Sequence, residues 1–383
     1  MKKIITIIGT RPQFIKASII SEEIKKESLL NEIILNTGQH YNENMSKLFF
    51  EELNIPKPKY NLNIIEKSYG NQIGKMMIGI EEILCVEKPD LVLLYGDTNS
   101  TLAGALISSQ LNIPIAHIEA GLRSYNIRML EEKNRIITDK LSTLLFTPTS
   151  LASNNLEEEK INKNVFYVGD VMYDIALKYT NKANKISKIL TDLNIKSKNY
   201  ILATIHRAEN VDNKDKLFNI FTILNTLAKK INIILPMHPR TSKMIYHFNY
   251  TSLMSNILII EPVGFFDMIS LENNANLIIT DSGGIQKEAY FHKVPCVTLR
   301  EETEWTETVE LGWNKIVNPN HIEQIIHAIY LTLNDINNNK LNYINNMYGY
   351  GDASKKIIQH IIKYFDVNCK YIKDSKIDNQ IIQ

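Results

Sequence analysis

Cysteine is scarce in this chain and follows no pattern. Among 383 residues only Cys85, Cys296 and Cys369 carry a thiol. An odd, scattered set builds neither a disulfide framework nor a metal-ligand cluster, and it fits a reducing cytoplasm. An excess of one charge is also missing. Lys and Arg total 43 against 42 Asp and Glu, a formal net charge of +1, which favours neither nucleic acid nor an anionic membrane as partner. No apolar run approaches membrane-spanning length. The run at residues 4–8 stops at Gly9-Thr10-Arg11-Pro12 and reads as a first strand rather than a signal peptide. Several chemical signatures are absent too. The chain has no G-x-G-x-x-G after a strand, no G-x-x-x-x-G-K-[ST], no G-x-S-x-G and no H-E-x-x-H. An enzyme built on it is expected to use neither NAD nor a catalytic metal, hence no cofactor.

What is present is ordinary globular composition, 44% hydrophobic and 22% charged, over a length that suits two domains. Short apolar runs at 4–8, 32–36, 91–95, 115–118 and from 145 read as strands. Helical patterns at 14–26, 44–53, 72–87, 101–110 and 131–144 alternate with them. The alternation lapses in a Lys- and Asn-rich stretch at 178–199 and resumes with strands at 200–204, 231–235, 257–260, 277–279 and 296–299. Such alternation predicts parallel sheets covered on both faces. The expected architecture is α/β, with two doubly wound domains and a ligand cleft between them. The expected boundaries are 1–175, a linker and helix at 176–198, and a second domain at 199–351. A last helix at 352–367 would pack back on the first domain, followed by a disordered tail at 368–383.

The most informative segment is 276–290. An apolar strand feeds a helix through Ser282-Gly283-Gly284, so free backbone N–H groups meet the positive end of a helix, a good phosphate site. Glu288, one turn in, can reach ribose hydroxyls. Other polar clusters also follow strands: Gly9-Thr10-Arg11, Thr37-Gly38-Gln39-His40, Gly96-Asp97-Thr98, Glu119-Ala120-Gly121, His206-Arg207 and His238-Pro239-Arg240. All would face one crevice. Each has a plainer reading. Taken alone, Asp97 reads first as a helix N-cap, and one of Glu131 and Glu132 first as a partner for the helix dipole. His117, between apolar neighbours, reads as a structural histidine. Arg123, Arg128 and Arg135 read as surface partners of the paired glutamates.

In combination the motifs resemble the non-hydrolysing UDP-N-acetylglucosamine 2-epimerase family. They are GTRPQFIK at 9–16, TGQH at 37–40, GDTNSTLAGAL at 96–106, HIEAGLRS at 117–124, EEKNR at 131–135, HRAEN at 206–210 and TDSGGIQKEA at 280–289. The resemblance covers almost the whole chain. It implies a glycosyltransferase-B fold, two Rossmann-like domains with the active site in the interdomain cleft. It further implies elimination of UDP across C1–C2 of a UDP-2-acetamido sugar to 2-acetamidoglucal, followed by re-addition. Asp97, Glu119, Glu131 and His206 match the family's essential residues, expected to move the C2 proton and protonate the leaving group. Which carboxylate serves which face stays open. Arg11 and Lys16 match residues near the diphosphate, Ser282, Gly283 and Gly284 the phosphate turn, and Glu288 the ribose ligand. His238 is expected near the phosphates, and Phe265 or Phe266 against uracil or in the core. A UDP-sugar is the implied ligand, and a homodimer the implied assembly.

The chain also departs from the family's pattern. Thr303-Glu304-Trp305-Thr306-Glu307 stands where many members carry Thr-Glu-Arg-Pro-Glu, and Leu130 replaces a common Pro. Asn42 stands where activator-dependent members carry Gln, which argues against activation by a second UDP-sugar. These departures resemble a subgroup acting on UDP-2,3-diacetamido-2,3-dideoxy-glucuronate, whose carboxylate Arg123, Arg128 or Lys133 can pair with. UDP-GlcNAc ranks first as the family's commoner substrate. A glycosyltransferase on the same fold and a hydrolysing epimerase rank below.

Overall fold

The computed structural model describes residues 1–39, 52–53, 55–66, 68–338 and 340–378; of residues 337 and 368–378 it describes the backbone alone. His40, Asn42 and nearly all of the helix expected at 44–53 lie outside the described residues.

The chain divides into two compact units, Met1–Ile175 with Asn345–Gln383, and Ala176–Ile344. The first unit holds strands β1 (Lys2–Ile8), β2 (Leu30–Asn36), β3 (Tyr60–Asn61), β4 (Leu91–Tyr95), β5 (Ile115–Ile118), β6 (Leu144–Thr147) and β7 (Val165–Tyr167). Among the described residues they form a parallel sheet in the order β3-β2-β1-β4-β5-β6-β7. The second unit holds β8 (Tyr200–Thr204), β9 (Asn232–Pro236), β10 (Leu258–Ile260), β11 (Leu277–Thr280), β12 (Cys296–Thr298) and β13 (Asn314–Ile316), ordered β10-β9-β8-β11-β12-β13. Counted from its own first strand, the second sheet runs 3-2-1-4-5-6, the order of the Rossmann dinucleotide-binding fold, and the first runs the same with a seventh strand at its edge. Two Rossmann-like units in series are the glycosyltransferase-B pattern that the resemblance implied.

The strands form because they are apolar on both faces. All five residues of β4 and of β8 are buried, as a sheet with helices on either side requires. In the first unit Ile5, Ile7, Val92 and Leu94 pack against Met76, Ile80 and Leu84 of the helix Tyr69–Glu87. In the second, Ile201, Ala203 and Ile279 pack against Ile220, Phe221 and Leu224 of the helix Lys214–Ala228.

The stretch expected as a linker and helix has more helix than linker, and the last helix is longer than expected. Residues 176–198 are largely helical, through Val171–Ile186 and Ile189–Asp192, and Ile189, Leu190, Leu193 and Ile195 pack on the second unit's core. Apolar residues at helical spacing outweigh the Lys- and Asn-rich composition. The last helix runs Ala353–Asp378, past the start of the expected tail, because no Gly or Pro interrupts it. Its first turn is fastened to the first unit. Asp174 accepts from Ala353 N (3.1 Å), Ser354 N (2.8 Å) and Ser354 Oγ (2.8 Å).

Candidate active site

Strand order reverses between β1 and β4 in the first unit, and between β8 and β11 in the second. Ligands of such sheets bind beyond the strands' carboxyl ends at the reversal. Candidate residues flank both points: Arg11 and Asp97 follow β1 and β4, while His206 and Ser282 follow β8 and β11.

In the first unit Gln13 staples the two loops together. Its Oε1 accepts from Gly9 N (2.8 Å) and Thr10 N (3.2 Å), and its Nε2 donates to Tyr95 O (2.9 Å). Gln39 of TGQH joins them by accepting from Ser100 N (3.0 Å) and Ser100 Oγ (2.7 Å). Arg11 is half-buried at the first position of the helix Arg11–Lys25. Lys16, from the same helix, forms an ion pair with Glu119, each side chain about a tenth exposed. Glu119 holds a left-handed backbone, φ +74°. A non-glycine residue pays for that conformation, so its surroundings must hold it there.

Asp97 is not the helix cap that its position allowed. Thr98 caps the helix Asn99–Gln110, accepting from Thr101 N at 3.3 Å. Asp97 Oδ2 instead lies 2.5 Å from Arg135, whose side chain is 2% exposed. Arg135 is therefore a buried anchor rather than a surface partner. The paired glutamates also separate. Glu132 is buried and accepts from Ser124 N, Ser124 Oγ and Tyr125 N, all at 2.9 Å. Glu131 is half-exposed and has no partner among the described residues. Arg123 is taken up by Glu159 (2.6 and 2.8 Å) and Asp139 (2.8 Å). It is committed inside the protein, which corrects its reading as a clamp for a substrate carboxylate.

In the second unit the organising residue is Asp281, fully buried. Its carboxylate accepts from His206 N (3.0 Å), Arg207 N (3.0 Å) and Asn210 Nδ2 (3.2 Å). It thus hangs the loop after β8 on the end of β11. The His206 ring, 38% exposed, lies 5.4 Å from the His238 ring, centroid to centroid. His238 caps the helix Pro239–His247, its Nδ1 accepting from Arg240 N at 3.2 Å. Arg240 pairs with Asp212.

The helix Gly283–Phe291 begins directly after Ser282, so Gly283 and Gly284 lie in its first turn rather than in a turn before a helix starting at Gln286. A Cβ on Gly283 would sit 2.8 Å from Glu304 Oε1 and 3.6 Å from Arg300, so part of the need for glycine comes from the protein itself. One on Gly284 would lie 3.9 Å from Glu288 Oε1, which puts that carboxylate beside the glycine turn. Trp305, the departure from the family's pattern, donates from Nε1 to Gly283 O (2.9 Å), and buried Lys287 lies 4.3 Å over its ring. Phe265 is 4% exposed and packs edge-on against Tyr179.

Sequence reasoning passed over Gln13 and Asp281. Thr10 and Gln13 have capping-box spacing, a usable signal. Asp281 stood inside a recognised motif, but nothing local shows that its partners lie more than seventy residues away. Among the described residues, no group of three or more His, Cys, Asp or Glu is set to hold a metal ion, and no helix is long and apolar enough to cross a membrane.

The sequence profile of the family described as UDP-N-acetylglucosamine 2-epimerase matches residues 22–362. The chain belongs to this family. A UDP-N-acetylglucosamine 2-epimerase homolog of Methanococcus maripaludis is 53% identical over 367 residues, 93% of this chain and 98% of that one. The UDP-2,3-diacetamido-2,3-dideoxy-D-glucuronate 2-epimerase of Pseudomonas aeruginosa is 45% identical over 369 residues, 94% of this chain and 99% of that one. The crystal structure of Methanocaldococcus jannaschii UDP-GlcNAc 2-epimerase, in complex with UDP-GlcNAc and UDP, superposes with a TM-score of 0.88 at 46% identity, covering 94% of this chain and 99% of that one. Membership of the family makes the protein an isomerase.

Proposed function

We propose that the protein interconverts UDP-GlcNAc and UDP-ManNAc without hydrolysis, serving surface polysaccharide precursor synthesis. The C2 proton of such a sugar is not beside a carbonyl, so direct deprotonation is too slow. Elimination solves this. A carboxylate takes the C2 proton, the C1–C2 double bond forms, and the C1–O bond breaks with its electrons going to the diphosphate. UDP oxygen then adds back to C1 while C2 receives a proton on the opposite face. The reaction needs an acid and a base on two faces and cations for the leaving group.

The observation that carries this reading is the pair of cation-held carboxylates, Asp97 with Arg135 and Glu119 with Lys16, at the ends of neighbouring strands. Glu131 is a third candidate and His206 a proton carrier from the other unit. Ser282, Gly283 and Gly284 would receive the diphosphate with help from Arg11, Lys16 and His238, and Glu288 the ribose. A charge-assisted hydrogen bond from Arg11 would contribute roughly 1.5–3 kcal/mol. Phe265, 4% exposed, would offer uracil little of its surface. Bound UDP-GlcNAc and UDP in the Methanocaldococcus jannaschii relative support a UDP-sugar ligand. The exposed Ile78 and Val86, about two turns apart on the helix Tyr69–Glu87, suit a homodimer, which light scattering would test, and the chains are taken to work in the cytoplasm.

Proton NMR with UDP-GlcNAc in D2O tests the reaction. UDP-ManNAc deuterated at C2, with no free sugar, is expected. Free ManNAc would mean a hydrolysing enzyme. No turnover, with UDP still bound, would favour UDP-2,3-diacetamido-2,3-dideoxy-glucuronate, a second reading motivated by the Pseudomonas aeruginosa relative.

A further inference from the structure

The first unit holds a buried polar chain that the proposed reaction leaves unused. His117, in β5, is fully buried. Its Nδ1 lies 2.7 Å from Asp139 Oδ1, and its Nε2 lies 2.7 Å from Gly96 O. Asp139 Oδ2 accepts from Gly121 N (3.1 Å) and from Arg123 (2.8 Å), which Glu159 holds from the other side. Burial pushes the Asp139 carboxyl up, but His117 and Arg123 outweigh it and hold it below the usual carboxylate range. A backbone carbonyl only accepts hydrogen bonds, so Nε2 of His117 donates to Gly96 O.

The positions this chain reaches are the bends behind the candidate carboxylates. Gly96 (φ +62°) precedes Asp97, and Gly121 (φ +78°) follows Glu119 (φ +74°) by two residues. His117 Nε2 holds the first bend by its carbonyl, and Asp139 holds the second by its N–H. Left-handed backbone at a non-glycine residue persists only where its neighbours enforce it. Glu119 lies between His117 and Gly121, both tied to Asp139.

We propose that His117 is a positioning residue for the epimerase reaction: by donating to the Gly96 carbonyl, it fixes the strand-end bend that aims Asp97, while Asp139 holds the bend after Glu119. The proposal rests on the reading of those carboxylates as the reacting groups. A histidine that only satisfied a buried aspartate would need the Asp139 bond alone. Two substitutions separate the possibilities. An Asn amide reaches about as far as Nδ1, and a Gln amide about as far as Nε2. His117→Asn keeps the bond to Asp139 and gives up Gly96. His117→Gln keeps the bond to Gly96 and gives up Asp139.

If His117 positions the bend, His117→Asn lowers kcat about 100-fold, the scale expected for a misplacement near 1 Å. Its KM, UDP affinity by calorimetry and melting temperature stay close to wild type. His117→Gln loses more melting temperature, yet keeps kcat within about tenfold of wild type. Activity that follows melting temperature across the pair, with the Asn variant the more active, overturns the proposal. If neither variant folds, imidazole NMR of the wild-type protein decides: a hydrogen-bonded Nε2 hydrogen on His117 is required, and its absence overturns the proposal. Wild-type enzyme that exchanges C2 hydrogen in neither UDP-sugar refutes the proposed function instead, and the positioning claim then stands or falls on that NMR result.

Discussion

At the strand ends of the first unit both the backbone and the candidate side chains are clamped; at those of the second it is chiefly the backbone. Asp97 is held by Arg135 and Glu119 by Lys16, so two of the three candidate carboxylates are paired with a cation. In the second unit Asp281 gathers the N–H groups of His206 and Arg207, and Trp305 holds the Gly283 carbonyl. Side chains there, such as the His206 ring, are left more open. The two sheets share one strand order. A common topology therefore delivers residues to the same place without deciding what they do. Fixed carboxylates suit proton transfer, which depends on angstrom-scale placement. Fixed backbone donors at a helix start suit an anion.

The sharpest way to break this comparison is Asp97→Asn. If the first unit carries the chemistry, C2 deuterium exchange falls by about 10³-fold, while UDP affinity by calorimetry changes little. Exchange near the wild-type rate would remove Asp97 from the reaction. Asp281→Ala attacks the other half. It strands the part-buried N–H groups of His206 and Arg207 and the buried amide of Asn210, which is expected to cost about 3 kcal/mol by denaturant titration and to weaken UDP binding with it. Unchanged UDP affinity in the folded variant would show that the loop after β8 does not serve the nucleotide.

Acid separates the units by a smaller effect. Burial, helped by the Lys198 charge, holds His292 in the second unit down at about 4, and Glu272 at 3.7 Å is too far to reverse this. Between about pH 4 and the ordinary 6.5 the unfolded chain binds a proton that the folded chain refuses. Stability therefore falls as pH drops through that window, by about 3 kcal/mol, and this contribution levels off below about 4. Asp139 in the first unit is depressed, so its contribution is complete above the ordinary aspartate value and is lost only as pH falls through its lower folded value. A melting curve of His292→Gln that keeps the full loss between pH 6.5 and 4 would rule out this assignment. Smallest is Gly9→Ala, whose Cβ would meet Thr37 Oγ1 at 2.1 Å and Ser100 Oγ at 2.3 Å. Overpacking there is expected to cost about 1–3 kcal/mol, with the staple at Gln13 disturbed and kcat lowered along with stability.

The central strands were legible because each is a run of apolar residues bounded by polar loops. β4, β5 and β8 start and stop where the runs do. β3, β7 and β13, with two or three residues each, were not anticipated. Edge strands that short have too few residues to show a period. The candidate site was legible as a set of strand-end motifs. Its pairing was not: Lys16 and Glu119 are 103 residues apart, and Asp97 and Arg135 are 38 apart. The plainer readings of Asp97 as a cap and of Arg135 as a surface partner rested on local rules that long-range contacts overrode.

The amino-acid sequence alone determined the α/β alternation, the family and the residues that end the strands, because those depend on local patterning and on motifs a few residues long. Only the tertiary structure decided which carboxylate each cation holds, that Thr98 rather than Asp97 caps its helix, that Glu132 is committed while Glu131 is not, and that Asp281 and His117 anchor the loops. Each of those outcomes depends on which distant groups share one buried space. A charge or hydrogen-bonding group taken out of water there must find its partner across the fold.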